Sequence, residues 1–461
     1  MVNRNLMLSC ALIALLYSQA VAQKQLPPEG GKPKDFSLPA KRTFTLGNGL
    51  GATLVPYGTI PKVTVSVVIR VGNANESPSQ VWLADLMGEF LKEGTSTQSA
   101  QKIAQRAADM GGSIDVSVGP DQTFINGDVL SEFGPELVAL LADIIRNPLF
   151  PASELARLKS DKIRQVSILR SDPEALTLER FSALMYPDHP YGRLFPTEAM
   201  IQGYTIDDVR AFYRANIGAA RTHIYIAGKV ATKTMEEAIQ KAFAGFPRGP
   251  EPMINIPKAV SKREISIIDR AGAPQSTVYI GLAVIDPSHR DYRALLLANA
   301  LLGGSFASRI TSNIREDKGY TYSPHSAVST RYRDAYWLQE ASVTTSVTGP
   351  SLKEIFYEID RLQGEPPSVE EVRGIQNYLA GVFVLVNSSL KGIINQLAFL
   401  NLHGLTESYL TDYVKSIYAV TPQEVQQITK TYLRDEDMRI VIAGDRKTIA
   451  EQVAPYGKIV N

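Results

Sequence analysis

The stretch "TIDDVRAFYRANIGAARTHIYIAG" (Thr205–Gly228) has a counterpart near the end of the chain, "TPQEVQQITKTYLRDEDMRIVIAG" (Thr421–Gly444). Each begins with a threonine, an acid in the first turn and apolar residues at helical spacing, which predicts a helix with a threonine N-cap. Each ends in a β-rich strand that stops at glycine. Because the Thr-to-Gly spacing is the same in both, the sequence indicates an internal duplication.

The segments that precede these modules also agree. "VTVSVVIRVG" (63–72) and "STVYIGLAVI" (276–285) predict strands, and each leads into an apolar helix that ends at glycine, over 82–94 and 292–304. The Pro- and Gly-rich stretch "FPRGPEPMINIPKAVSK" between the halves has the composition of a linker. The sequence therefore predicts an α+β fold of two similar sandwich domains, each a sheet packed against helices, that can face each other and enclose a space.

The N-terminus predicts export. Arg4 is followed by the apolar run "LMLSCALIALLYSQA" and then by an A-x-A site ending at Ala22, a pattern typical of a secretory signal peptide cleaved before Gln23. An uncleaved anchor is the alternative, although the apolar run is short for a membrane span. In chain order, the predicted parts are a signal peptide (1–22), an extended leader (23–45), a first domain (46–245), a linker (246–262) and a second domain (263–461).

Composition excludes several classes of function. The chain of 461 residues has 48 basic and 47 acidic side chains and no long basic run interleaved with aromatics, so nucleic acid is not an expected partner. No segment after the signal is long and apolar enough to span a bilayer. The single cysteine, Cys10, lies in the signal, so the mature chain has no disulfide or thiolate chemistry. We expect a periplasmic protein that depends on its core for stability.

The helix over 82–94 carries acidic residues on an otherwise apolar face. Asp85 and Glu89 are four residues apart and share that face, with Gly88 between them. Two ligands at this spacing can hold one metal, but carboxylates are poor substitutes for the imidazoles that zinc prefers. A calcium or magnesium site at Asp85 and Glu89 is one hypothesis, although such ions need more oxygen ligands. A solvated acidic face is the other.

The second informative segment is "LLGGSFASRITSNIREDKGYTYSP" (301–324). Its glycine pair allows a tight turn, Ser305 is placed to cap the helix that follows, and Lys318-Gly319 ends that helix. Arg315 falls in the last helical turn and Tyr322 on the strand expected after it, so a helix–turn–strand hairpin brings the two together. Arg315 as a cation at a helix C-terminus and Tyr322 as a strand-packing residue are the alternative interpretations.

Both segments resemble signatures of the M16 family, the pitrilysin-like or inverted-zincin peptidases. The second segment is similar to the pattern G-G-x-x-S-R-L-x-x-x-x-R-E-x-x-G-x-x-Y-S, in which an arginine and a tyrosine contact the substrate and help to stabilise the oxyanion; Arg315 and Tyr322 match them. The first resembles G-L-A-H-x-x-E-H-x-x-x-x-G-T, but Asp85, Gly88 and Glu89 stand where the family has its two histidines and catalytic glutamate.

The resemblance implies a duplicated M16/LuxS-like metallopeptidase fold in a clam-shell arrangement. It also implies an M16B-type, non-catalytic subunit that lacks H-x-x-E-H, holds no metal and pairs with a zinc-bearing homologue. Peptides would be hydrolysed at the zinc of the partner, while Arg315 and Tyr322 assist in trans by binding the substrate and stabilising the transition state.

Three alternatives remain open at this point. The chain could be a peptide-binding or scaffolding M16-like protein with no role in proteolysis, which would have no reason to keep Arg315 and Tyr322 in register. It could be a stand-alone enzyme with an altered metal site. It could also form homodimers instead of pairing with a homologue.

Overall fold

The computed structural model describes residues 36–253 and 255–460. The predicted signal peptide (1–22) and residues 23–35 of the predicted leader lie outside the described residues. Within the described ranges the strands are β1 (Arg42–Thr45), β2 (Gly51–Pro56), β3 (Lys62–Ile69), β4 (Ser113–Val118), β5 (Thr123–Leu130), β6 (Thr222–Gly228), β7 (Ile265–Asp269), β8 (Gln275–Val284), β9 (His325–Arg331), β10 (Asp334–Thr344), β11 (Arg439–Gly444) and β12 (Ile459–Val460).

Helices alternate with these strands in both halves of the described chain. The α-helices are α1 (Leu83–Phe90), α2 (Ala100–Asp109), α3 (Gly134–Arg146), α4 (Leu155–Ser171), α5 (Pro173–Met185), α6 (Glu198–Gly203), α7 (Ile206–Asn216), α8 (Thr232–Phe243), α9 (Tyr292–Asn299), α10 (Thr348–Gly364), α11 (Val369–Asn387), α12 (Leu390–His403), α13 (Ser408–Thr411), α14 (Tyr413–Ala419), α15 (Pro422–Tyr432) and α16 (Arg446–Val453). Two π-helical segments, Ala300–Gly304 and Thr311–Asp317, lie in the second half.

The two sheets have the same topology. The first has the order β1-β2-β6-β3-β5-β4 and the second the order β12-β7-β11-β8-β10-β9. Both sheets contain an equivalent parallel pair (β2 with β6, β7 with β11), and β6 and β11 each run antiparallel to their other neighbour, β3 or β8. The sheets differ at one edge, where β1 runs antiparallel to β2 but β12 runs parallel to β7. The predicted duplication and α+β class are therefore confirmed.

The repeated threonines form the predicted caps. Thr205 accepts a hydrogen bond from the backbone N–H of Asp208 at 3.2 Å, and the Asp208 carboxylate accepts from the backbone N–H of Thr205 at 2.8 Å. Thr421 and Glu424 make the same reciprocal pair at 3.2 and 2.8 Å. Both α7 and α15 thus begin with a capping box, which satisfies two backbone donors at the start of each helix.

The two halves exchange helices. The helix α12, which belongs to the second half, packs Ile393, Ile394 and Leu397 on the first sheet, against residues such as Val68 and Tyr225. This places a helix of one half on a sheet of the other, while α1, α3 and α7 of the first half contribute to a separate core on that sheet. The first sheet is therefore covered by helices from both halves.

The reciprocal contact is made by α5. Phe181 and Met185 of this first-half helix, with Tyr186 directly after it, pack on the second sheet with Tyr279 and Tyr336. A Cβ atom at Gly281 in β8 would lie 2.7 Å from the Phe181 ring, so the glycine is what allows the helix to approach the strand. The linker itself is anchored here, because the Val260 N–H donates to the Met185 carbonyl at 2.8 Å.

Part of the predicted leader also belongs to the fold. The strand β1 pairs with β2 at the edge of the first sheet, so residues 42–45 are structural. Just before it, Phe36 packs edge-on against Phe383 of α11 with ring centroids 4.9 Å apart, and Leu38 joins the same apolar cluster. The N-terminal segment therefore links the first sheet to helices of the second half.

Among the described helices, no single one is long and apolar enough to cross a bilayer. The consecutive helices α11 and α12 are together long and apolar enough, but their axes are bent by 105° relative to each other.

We expect the exchanged helices, and not the linker, to hold the halves together. A specific protease site inserted beside Ile256, which is 58% exposed, should allow the chain to be cut between the halves. Because α5 and α12 each bury apolar side chains on the other half, the two fragments should co-elute in size-exclusion chromatography and separate only in denaturant. Separation of the cut fragments in native buffer would contradict the exchange.

Candidate functional site

The acidic helix of the first half forms as predicted but is shorter. The helix α1 spans Leu83–Phe90, buries Leu86 and Phe90 in the first core, and is followed by a turn to Gly94 at φ +107°. Trp82, immediately before α1, has a left-handed φ of 68°, which is unusual for a residue with a side chain. The Trp82 indole N–H donates to the Leu194 carbonyl at 2.8 Å, and this bond helps to fix the start of the helix.

Gly88 lies against the edge strand β4. A Cβ atom at this position would lie 2.7 Å from Cγ2 of Val118 and 3.6 Å from Cγ1 of Val116. A separation below 3 Å means that the valine would have to move before any side chain could fit. A glutamate at position 88, which matches the catalytic glutamate of the family, would therefore require Val118 to shift.

Asp85 is held by a neighbouring amide. Asn73 Nδ2 donates to Asp85 Oδ2 at 2.7 Å. Burial raises the pKa of Asp85, and the hydrogen bond from Asn73 and the charge of Lys162 offset only part of that effect. Asp85 thus belongs to a buried polar network rather than to a solvated acidic face.

Glu89 is neutralised by two lysines. It forms ion pairs with Lys92 and, at 3.3 Å, with Nζ of Lys162 from α4. Partial burial acts to raise the pKa of Glu89, but the hydrogen bonds and charges of the two lysines outweigh it, and the pKa lies below its usual value. The Lys162 side chain is only 10% exposed, and its ammonium also lies 5.8 Å from the centre of the Trp82 ring.

The oxygens of Asp85 and Glu89 are thus engaged by different partners. In the part of the chain that the structure describes, no group of three or more His, Cys, Asp or Glu side chains is placed to hold a metal ion. This geometry is compatible with a chain that carries no zinc, and it gives no support to a calcium or magnesium site at Asp85 and Glu89. A buried ammonium stands beside the carboxylates instead.

Glu76 is a third carboxyl group in this network. It accepts hydrogen bonds from the backbone N–H groups of Trp82 at 3.1 Å and Ala84 at 2.8 Å, at the N-terminus of α1. Burial raises the pKa of Glu76 to about 8, with the nearby Asp85 charge adding to the rise and the hydrogen bonds opposing it. Neither Glu76 nor Lys162 was predicted, because they lie well before and well after α1 in sequence and match no local pattern.

In the second half, the glycine pair serves close packing. Gly303 and Gly304 end the π-helix that continues α9, and a Cβ atom on Gly303 would lie 2.6 Å from Ser326 Oγ of β9. The Ser305 hydroxyl is buried without a hydrogen-bond partner among the described residues, so the predicted cap at Ser305 is wrong. Ser308 takes that role, since its Oγ accepts from the Thr311 N–H at 3.4 Å.

The segment that carries Arg315 is anchored to two helices. Arg309 makes a bidentate ion pair with Glu371 of α11, with N–O distances of 2.7 and 2.8 Å. Asn313 Nδ2 donates to Glu358 of α10 at 2.8 Å and to Glu354 at 3.1 Å. Bidentate arginine–carboxylate pairs fix geometry as well as energy, so the π-helix Thr311–Asp317 is held in position from both sides.

Arg315 and Tyr322 are brought together. The Arg315 guanidinium carbon lies 5.3 Å from the centre of the Tyr322 ring and 4.4 Å from the centre of the Phe306 ring. Tyr322 is 82% exposed and precedes the strand β9, which begins at His325, so its predicted place on a strand is wrong. Strand packing does not explain an exposed tyrosine in a turn, whereas Arg315 does lie in the last turn of its helix.

The structure thus defines a duplicated α+β protein whose first signature helix is closed around internal ion pairs and whose second signature segment is open to solvent. Residues 54–195 match the model of the insulinase family, peptidase family M16, and residues 203–379 match the peptidase M16 inactive domain. The chain belongs to the M16 peptidase family. The match to the inactive domain is consistent with a non-catalytic member.

Known proteins agree with this assignment. An uncharacterized zinc protease of Bacillus subtilis is 25% identical over 330 residues, which cover 68% of this chain and 78% of that protein. An uncharacterized zinc protease of Rickettsia felis is 24% identical over 331 residues, with coverage of 71% and 79%.

Solved structures share the fold. A peptidase M16 inactive domain from Pseudomonas fluorescens superposes with a TM-score of 0.81 at 23% identity and covers 88% of this chain and 98% of its own. A protease from Helicobacter pylori gives a TM-score of 0.82 at 19% identity, with coverage of 88% and 100%. The predicted M16 fold is therefore confirmed.

The variant Lys162→Met should be less stable than the wild type by about 1 to 3 kcal/mol in free energy of unfolding, because it removes the more buried of the two ammonium groups that pair with the Glu89 carboxylate. The pKa of Glu89 is lowered in the folded state, so the ion pair contributes above the ordinary glutamate pKa and is lost as the pH falls. The deficit should therefore shrink in acid. Urea denaturation between about pH 2 and pH 7 checks this, with Lys92→Met at the more exposed partner as control; a Lys162→Met deficit that does not change with pH would contradict it.

The variant Glu76→Gln should gain stability relative to the wild type as the pH rises. Glu76 has a pKa of about 8 in the folded state and 4.5 ordinarily, so its contribution is fully present below pH 4.5 and is lost toward pH 8. Glutamine does not titrate, so the difference should grow by on the order of 1 to 3 kcal/mol across that window. Thermal unfolding at a series of pH values measures it, with Glu132→Gln at an exposed position as control. Parallel pH curves for Glu76→Gln and wild type would refute the burial effect.

Proposed function

We propose that this chain is the non-catalytic subunit of a heterodimeric M16 peptidase. In this proposal it supplies Arg315 and Tyr322 to a zinc-bearing homologue that hydrolyses peptides. One observation carries it. In the second signature segment, the Arg315 guanidinium carbon lies 5.3 Å from the centre of the exposed Tyr322 ring. The relatives named as zinc proteases suggest the class of reaction in which such a subunit takes part.

The chemistry of the two side chains suits this role. In the partner, the bound zinc would supply an activated water for attack on the peptide carbonyl. Here, the Arg315 guanidinium and the Tyr322 hydroxyl are hydrogen-bond donors that would meet the substrate backbone and the oxygen on which negative charge develops. Arg315 is kept rigid by its helix, which Arg309 and Asn313 anchor, so little reorganisation is needed when charge appears.

The first half of the chain also supports a proposal in which another subunit supplies the metal and the general base. A glutamate at position 88 would require Val118 to shift, and Glu89 forms ion pairs with two lysines. A chain of this kind would depend on another subunit for the metal and for the general base. The predicted signal peptide supports export of this chain to the periplasm, so in this proposal the partner is also periplasmic and the substrates are peptides or unfolded segments.

A scaffolding or peptide-binding protein without a part in proteolysis is the second candidate. It accounts for the closed first-half centre, but it gives no reason for an exposed tyrosine beside a rigid arginine. A stand-alone enzyme with an altered metal site is a third candidate, and stoichiometric zinc in the purified chain alone would favour it over our proposal.

The test is to mix the purified chain with a zinc-bearing M16 homologue from the same organism and to follow cleavage of a fluorogenic peptide. Arg315→Ala and Tyr322→Phe should each lower kcat/KM by roughly 10- to 1000-fold, the range seen when one donor to a developing oxyanion is removed.

Ile60→Ala, an exposed substitution in the first half, is the control and should leave the rate unchanged. If the mixtures with Arg315→Ala and Tyr322→Phe cleave as fast as wild type, the chain has no assisting role. Heterodimer formation, measured separately by light scattering, distinguishes that result from a failure of the subunits to associate.

A further inference from the structure

Phe306 is an exposed aromatic residue directly beside the proposed site. Its side chain is 73% exposed, and its ring lies 4.4 Å from the Arg315 guanidinium carbon. Phenylalanine is ordinarily among the residues that a fold buries, because its ring is costly to leave in water. An exposed ring of this size next to donors that would contact substrate indicates a contact surface.

The position of Phe306 is fixed by the fold. It lies in the short turn between the two π-helical segments, Ala300–Gly304 and Thr311–Asp317. The first is packed against β9 through Gly303, and the second is anchored by the bidentate pair of Arg309 and Glu371. Single π-helical turns inside helices are frequent at functional sites. The ring is therefore presented on a turn that is anchored at both ends.

Arg315, Phe306 and Tyr322 form one surface that is polar at the guanidinium and apolar at the two rings. Arg315 is 22% exposed and pairs with Glu316 at 3.3 Å, while Phe306 and Tyr322 approach the same guanidinium at 4.4 and 5.3 Å. Contacts between a cation and aromatic rings hold the guanidinium in place and leave its remaining N–H groups for an acceptor. An acceptor bound there would have an apolar ring at its side.

We infer that Phe306 is a specificity-determining residue, which contacts a bulky apolar or aromatic side chain of a peptide whose backbone carbonyl is bound by Arg315 and Tyr322. An extended peptide places a side chain next to every carbonyl, so a ring beside the carbonyl donors meets that side chain first. Ring–ring contact would add to the buried apolar area when the substrate residue is aromatic.

This inference rests on the proposed function, which assigns a peptide as the substrate and Arg315 and Tyr322 as donors to its backbone. Binding is tested on the isolated chain, where proteolysis plays no part, so the two proposals fail separately. The probes are fluorescein-labelled, C-terminally amidated heptapeptides of serine and alanine that carry one central Phe or one central Ala, and Kd is measured by fluorescence anisotropy.

The wild-type chain should bind the Phe peptide roughly 10-fold more tightly than the Ala peptide, the factor that corresponds to about 1.4 kcal/mol of ring burial. Phe306→Ala should reduce that preference to less than about 2-fold and leave Kd for the Ala peptide unchanged. Phe306→Leu should keep an intermediate preference, and Ile60→Ala, a control with 69% exposure, should keep all of it. Melting temperatures confirm that each variant is folded.

Two results would overturn the inference. If Phe306→Ala weakens both peptides by the same factor, the ring only positions Arg315 and does not select a side chain. If wild type shows no preference, or Phe306→Ala keeps it, the ring does not contact the ligand. In the mixture with the zinc-bearing homologue, Phe306→Ala should raise KM for the Phe peptide with little change in kcat, whereas loss of Arg315 lowers kcat.

Discussion

The exchange of helices between the halves determines most of this structure. Because α12 covers the open face of the first sheet and α5 that of the second, central strands such as β3, β6 and β11 are buried almost throughout. The main apolar core of each half consists of residues of that half alone, and the exchanged helices bury the central strands from the opposite side of each sheet. The exchange also helps to fix the second signature segment, because α11, which pairs with Arg309, leads directly into the exchanged helix α12.

Local signals were enough to predict the duplicated sheet-and-helix units from sequence, because the capping boxes at Thr205 and Thr421 and the alternating strands specify structure within a few residues. The exchange was not predictable, since an amphipathic helix shows which face is buried but not which sheet covers it. The same limit applies to the sites. Arg315 and Tyr322 lie within one short segment and were found together, whereas Lys162 reaches Glu89 across 73 residues of sequence. Ser305 and Ser308 are equally good caps by type, and only packing decides between them.

The first-half centre shows how a fold can close a metal-binding arrangement. A metal ion at such a place would balance the charge of several carboxylates. Here the carboxylates have side-chain partners instead: Asn73 donates to Asp85, and the Lys162 ammonium pairs with Glu89. Buried polar groups are costly unless they are paired, so each partner stabilises the arrangement against its loss. Replacing Asp85 and Glu89 with histidines would leave Lys162 beside the new ligands and Val118 against position 88. A metal centre at this place would therefore need changes in α4 and β4 as well as in α1.

The two signature segments differ in their exposed side chains. The carboxyl groups of the first are paired within the chain, whereas the second has aromatic rings in contact with water. In the first half, the carboxyl groups of Glu76, Asp85 and Glu89 all have donors within the chain. In the second half, the bidentate ion pair of Arg309 and the hydrogen bonds of Asn313 to two glutamates hold the helix that precedes Tyr322. The rings of Phe306 and Tyr322, on either side of that helix, are exposed. Stabilising interactions that support an exposed phenylalanine and tyrosine are of little use to the isolated fold, because neither ring is buried by it. In the proposed function, the rigidity of this segment becomes useful when a substrate or a partner subunit covers the two rings.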